Sequence, residues 1–187
     1  MRLKNKKMKL KVILLLFVFL SLSLKAQENK MTTFQRMLIL NDEEKMMVVK
    51  IKDKDFWVTP GLYQNTKQTI KEGIDSIAET YGLQVFDIAF RAMYGLSTPT
   101  KNAYSTRNMF VMKVKTNHTK IPAILDKVEW LTIDEAMQRI NIPHINFFIK
   151  DIFDNQNSIR FGTVEKQMID GKLTPIIVEE FYSFKKE

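Results

Sequence analysis

The pattern of apolar and polar positions divides the chain into short alternating segments and two helical stretches. Thr33 to Leu40 sets Phe34, Met37 and Ile39 against Gln35 and Arg36, which reads as a strand. Asn41-Asp42-Glu43-Glu44 is turn chemistry, and Met46 to Lys52 (MMVVKIK) is a second strand, so 33–52 predicts a hairpin. A polar turn at Lys52 to Asp55 leads to short apolar Phe56-Trp57-Val58, which Pro60-Gly61 breaks. Lys67 to Tyr81 is the clearest helix. Ile70, Ile74, Ile77, Ala78 and Tyr81 recur at helical spacing, Thr69 with Glu72 fits a capping box, and Gly82 is a stop.

Leu83 to Tyr94 reads as a long strand and Met109 to Lys115 as another, with a polar loop, Gly95 to Arg107, between them. Val128 to Leu131 is strand-like. Thr132 with Glu135 opens a helix to Ile140, which Pro143 breaks, and His144 to Phe153 predicts a further helix with Ile145, Phe148, Ile149 and Ile152 on one face. Ser158–Ile169 and Leu173–Phe184 flank Asp170-Gly171, a strong two-residue hairpin signal, and Pro175 points to an irregular start or an edge position for the last strand. The order β-β-β-α-β-β-β-α-α-β-β is an α+β pattern of helices packed on a mostly antiparallel sheet.

The net charge of +8 changes meaning once it is located. Residues 1–26 hold seven basic residues and no acid, so subtracting them leaves +1 for residues 27–187. The mature chain therefore carries no nucleic-acid footprint. That leader has the parts of a secretory signal peptide: a basic stretch to Lys11, a largely apolar stretch of thirteen residues from Val12 to Leu24, and a polar boundary at Lys25-Ala26-Gln27. Thirteen residues fall short of the roughly 20 needed to span a bilayer. The expectation is a signal peptide over 1–26 and an exported protein, periplasmic or secreted, with no membrane span after its removal. A retained N-terminal anchor is the alternative. The absence of cysteine excludes disulfides, thiolate metal sites, cysteine nucleophiles and a lipidated N-terminus.

The stretch Phe56 to Leu83, FWVTPGLYQNTKQTIKEGIDSIAETYGL, resembles the signature of the Nudix family. That box reads G-x5-E-x7-R-E-U-x-E-E-x-G-U, with U an aliphatic residue, commonly behind a Trp and a Pro-Gly-Gly turn. Trp57, Pro60 and Gly61 stand where the family's lead-in stands, Ile77 fills the aliphatic position, and Gly82-Leu83 closes at the correct distance. The flanking hairpin and the later VEWLTIDEA segment look like the family's too. The resemblance covers about Thr33 to Ile140. It implies an α/β/α sandwich around a mixed sheet, assigned to a domain over 27–153; the added C-terminal helix and the β-hairpin extension, 154–187, lie outside the resemblance and are expected to pack on the same domain.

The resemblance also implies magnesium- or manganese-dependent cleavage of a diphosphate, with glutamates of the helix as hard oxygen ligands. Most of those glutamates are gone. The first box glutamate corresponds to Lys67, the arginine to Asp75, the next glutamate to Ser76, and of the closing pair Glu79 remains beside Thr80. The second glycine of the turn is lost as well: it is Leu62 with a deletion following, or Pro60 if Gly61 opens the box. One surviving glutamate is too little for a dehydrated octahedral ion. The expectation is a non-catalytic binding or interaction module with no cofactor. Glu79 is its residual metal-ligand candidate, and Glu72, Asp75 and Glu79 are a rescue set at i, i+3 and i+7. The rival is an active hydrolase of a nucleoside- or sugar-linked diphosphate using magnesium or manganese at a rearranged site. A third reading places a protein partner on the C-terminal hairpin. Weaker candidates are His118 in a loop, His144 as a capping or surface residue, an Asn117-His118-Thr119 sequon, and Tyr63, Tyr94 and Tyr104 as cleft or rim aromatics.

Overall fold

The segments MLIL and MMVV are apolar at every position, which fits strands buried on both faces. The computed structural model, which describes residues 30–115 and 119–184, shows this arrangement. Strand β1 (Lys30–Leu40) sends Leu38 and Leu40 to one side and Met37 and Ile39 to the other, and β2 (Met46–Ile51) does the same with Met46 and Val48 against Met47 and Val49. Two cores result. One face is covered by helix α1 (Ile70–Tyr81), which contributes Ile74, Ile77 and Tyr81. The opposite face is covered by α2 (Ile133–Arg139) and α3 (Pro143–Asp154), with Ala136, Ile145, Phe148, Ile149 and Ile152. Burying each of the larger side chains contributes roughly 1.5–3 kcal/mol.

The remaining strands are β3 (Trp57–Val58), β4 (Gly61–Tyr63), β5 (Val85–Thr98), β6 (Ala103–Val114), β7 (Leu125–Leu131), β8 (Arg160–Ile169) and β9 (Lys172–Tyr182). Among the described residues they form one sheet in the order β3-β2-β1-β6-β5-β8-β9, with β4 also on β1 and β7 also on β2. Strand β8 joins β5 in parallel and β9 joins β8 antiparallel, so the sheet is mixed. The α+β, α/β/α architecture is as the sequence predicts. The C-terminal hairpin completes this sheet. Asp170 and Gly171 both take left-handed φ, 49° and 75°, as the tight turn requires, and Pro175 lies on the outermost strand of the sheet order.

The polar loop expected at Gly95 to Arg107 is not a loop. Strand β5 runs on to Thr98, a single 3-10 turn over Pro99–Lys101 reverses the chain through left-handed Asn102, and β6 starts at Ala103. The eleven residues from Gly95 to Ser105 read as a loop because small and polar side chains interrupt the apolar alternation at both strand ends. Pro143, read as a breaker, is the first residue of α3, where its fixed φ suits a helix start. Helix α1 begins at Ile70, after the capping box of Thr69 and Glu72, and ends at left-handed Gly82; Ile70 itself is exposed.

A buried ion pair fastens α3 to the sheet. Asp151 accepts from Arg160 Nε at 3.0 Å, from Arg160 Nη2 at 2.9 Å and from the Tyr94 hydroxyl at 2.6 Å. Arg160 Nη2 also reaches the Phe181 carbonyl at 2.9 Å, tying in β9. Tyr94, expected as a cleft or rim aromatic, is 0% exposed and stacks on Phe148 at 4.3 Å. Among the described residues no helix is long and apolar enough to cross a membrane. The expected signal peptide, Asn117 and His118 lie outside the described residues.

Candidate functional site

The lead-in to α1 is held by its own chemistry. Trp57 is buried in the α2/α3-side core, with the Arg139 guanidinium 5.1 Å above its ring. Thr59 accepts from Arg36 Nη1 through its hydroxyl at 2.7 Å and its carbonyl at 3.2 Å, and the Pro60 carbonyl accepts from the Met37 N–H at 2.9 Å. Gly61 is required by close approach: an added Cβ would meet the Phe34 ring at 2.4 Å and the Gln35 carbonyl at 2.5 Å.

The helix that follows spends its carboxylates locally. Glu72 accepts from the Thr69 N–H at 2.7 Å and hydroxyl at 3.0 Å, bonds that hold its carboxyl below the usual range. Asp75 pairs with Lys71 at 2.5 Å. Glu79 is exposed at the far end, beside Asp75 along a shallow depression of about 310 Å3 that Ile74, Ala78, Leu83 and Met112 also line. Where a metal-binding box would gather its glutamates, neutral groups bond to one another. Gln35 donates to Gln64, Gln64 donates to the Gln68 carbonyl, Gln68 donates to the Ser76 hydroxyl, and Ser76 donates to the Gly73 carbonyl. Thr80 donates to the Ser76 carbonyl at 2.6 Å, and Lys67 is exposed. Among the described residues no three His, Asp or Glu side chains gather closely enough to hold a metal ion. These amides and hydroxyls do not fit magnesium, which demands several hard, preferably anionic oxygens in octahedral array.

The opposite face of the same sheet end holds what the sequence did not single out. Phe34 and Arg36 on β1, Ser105 and Arg107 on β6, and Lys166 on β8 alternate in step with the apolar residues of the α2/α3-side core, so they share that face. Arg36 and Arg107 sit 4.9 and 5.0 Å from the centre of the Phe34 ring. Among the described residues, buried Arg36 bonds only the neutral Thr59, and the buried Nε of Arg107 and Oγ of Ser105 have no partner. Burial, then Arg107, pulls Arg36 down to about 9; burial likewise lowers Arg107, with Tyr63 opposing. Burial, followed by Arg107, Lys101 and Arg36, lowers Lys166.

His144, in the first turn of α3, is 8% exposed rather than a surface cap. Burial first, then Lys166, Arg36 and Arg107, pushes it down to about 3. Helix α3 has no side-chain cap and no acid in its first turn, so its positive end adds to the same field. None of Arg36, Arg107 and Lys166 forms an ion pair among the described residues. Three cationic side chains, uncompensated and half dry, beside a neutral His144 at a helix N-terminus form a site suited to an anion. The legible signal was the odd basic residue on an otherwise apolar strand face, as at Arg36 just before MLIL.

Solved structures resemble this arrangement. A MutT protein from Bacillus halodurans superposes with TM-score 0.60 at 14% identity, over 79% of this chain and 97% of that one. The fold is Nudix-like. A MutT protein from Methanosarcina mazei gives TM-score 0.54 at 17% identity over 70% and 97% of the two chains, and a Nudix hydrolase from Nitrosomonas europaea gives 0.53 at 16% over 67% and 90%. No family model matches the sequence, and no curated protein matches it. The Nudix-like fold is thus carried by tertiary structure at a sequence identity where side-chain chemistry has to be read from this chain itself.

Proposed function

We propose that this Nudix-like domain is a binding module that grips a phosphate-bearing anion with side-chain cations and does not hydrolyse it through a magnesium centre. One observation carries the reading: the box helix offers a neutral Gln64–Gln68–Ser76 network where carboxylates would converge, while the other side of the sheet presents Arg36, Arg107 and Lys166 without a counter-ion among the described residues, beside a neutral His144. A phosphoryl group supplies the charge and acceptors those donors lack, so its binding needs no bridging cation. The basic, apolar leader supports work outside the cytoplasm, in the periplasm or beyond the cell.

The test is calorimetric titration of inorganic pyrophosphate and ADP in EDTA, beside assays of phosphate release with magnesium or manganese. Saturable binding in EDTA, weakened at least tenfold by Arg107→Met or Lys166→Met, is expected, with no metal-dependent turnover. The rival reading rests on Asp75 and Glu79 sharing one depression. Turnover with manganese that Glu79→Gln abolishes would establish that reading and overturn ours.

A further inference from the structure

The core beneath α1 contains no residue of β8 or β9, so that end of the sheet's α1-side face is bare among the described residues. It is an aromatic surface: Phe90, Tyr104 and Tyr182 are all exposed, and Phe184 is 74% exposed. Near its centre lies a pocket of about 140 Å3, walled by Met93, Tyr104, Phe161 and Tyr182, with Glu179 at its side. Gly95 forms part of the lining, and an added Cβ there would meet the Tyr104 hydroxyl at 2.3 Å. The Thr163 hydroxyl donates to the Glu179 carboxylate at 2.6 Å, and Tyr182 stands beside it in the pocket wall. Among the described residues no lysine or arginine pairs with it.

We propose that this pocket binds a quaternary ammonium group of the choline type, with Tyr104, Phe161 and Tyr182 facing its methyls and Glu179 supplying the counter-charge. Three features select that ligand. The negative faces of the rings and the unpaired carboxylate both attract a cation and repel a phosphate. The volume equals roughly four to five water molecules at ~30 Å3 each, well below the ~300 Å3 at which pockets for larger ligands begin. A primary ammonium has three N–H donors to satisfy, and these walls are mostly apolar; a methylated nitrogen has none. The pocket is built by β5, β6, β8 and β9 and is independent of the anion cleft and of the reading given to it.

Free choline is titrated into the full chain by calorimetry and saturation-transfer NMR, beside 3,3-dimethylbutanol, its neutral isostere. Choline binds saturably, and removing the charge from either side weakens binding by about threefold to thirtyfold: the neutral isostere on the wild type, or choline on Glu179→Gln. Tyr182→Leu, checked for folding by its melting curve, weakens choline comparably. Equal binding of the two ligands, or undiminished choline binding by Glu179→Gln, overturns the proposal, as does no saturation by choline. Cosedimentation with phosphatidylcholine but not phosphatidylglycerol vesicles identifies a lipid headgroup as the source; choline binding without cosedimentation identifies a free solute.

Discussion

Replacing Asp151 by Asn removes one charge from the middle of the molecule and keeps the shape. Asp151 and Arg160 are about nine-tenths buried, and the carboxylate takes bonds from both faces of the Arg160 fork and from the Tyr94 hydroxyl. The substitution leaves the Arg160 guanidinium in the interior without its counter-ion, and the amide cannot accept at both of its terminal atoms. Breaking a buried pair from one side costs about 3–5 kcal/mol. For a domain of this size that lowers Tm by roughly 6 to 20 °C. Because Arg160 also holds the Phe181 carbonyl, the loss should reach β9, with faster amide exchange in the C-terminal hairpin. Thermal and urea unfolding of Asp151→Asn, Arg160→Met and the Asp151→Asn/Arg160→Met double variant form a cycle. Each single change is expected to cost more than the double change, since the double one leaves no orphaned charge. A loss under about 1 kcal/mol for Asp151→Asn, or singles that simply add, would refute the reasoning.

Three further outcomes follow from the same geometry. Thr69→Ala removes the hydroxyl half of the capping box at α1, leaving the backbone N–H on Glu72, and should cost about 1 kcal/mol in urea unfolding without altering anion binding. His144 is held near 3 in the folded state against 6.5 when unfolded, so the unfolded chain binds the extra proton between those values; stability should fall as pH drops from about 6.5 towards 3, by up to about 1.4 kcal/mol per pH unit, and His144→Gln should flatten that slope. Installing Lys67→Glu, Asp75→Arg, Ser76→Glu and Thr80→Glu together should create manganese affinity absent from the wild type, read by calorimetry.

Much of this fold was legible because its strands are buried on both faces and its helices are capped. The runs MLIL and MMVV, the boxes Thr69/Glu72 and Thr132/Glu135, and the Asp170-Gly171 turn each fix local geometry with few residues. The outer halves of β5 and β6 were not legible, because Ser105, Thr106 and Arg107 break the apolar alternation where the strands pass over the cleft. The site divided the same way. Box positions could be read by spacing, so the placement of Glu72, Asp75 and Glu79 on α1 was available in advance. Which partners would claim Glu72 and Asp75 was half visible, as Thr69 and Lys71 lie on the same helix. The cationic cleft joins residues 36, 107, 144 and 166, which only the strand order β1-β6-β5-β8 brings together.

Titration of manganese into the chain, followed by the electron paramagnetic resonance signal of the free ion, tests the central claim most directly. The signal should match that of a protein-free solution at every ratio, whether or not pyrophosphate already occupies the cleft in amounts too small to chelate the metal. Stoichiometric loss of the signal, restored by Glu79→Gln, would mean that α1 does hold a divalent ion, and that the neutral network beside it is no barrier to catalysis.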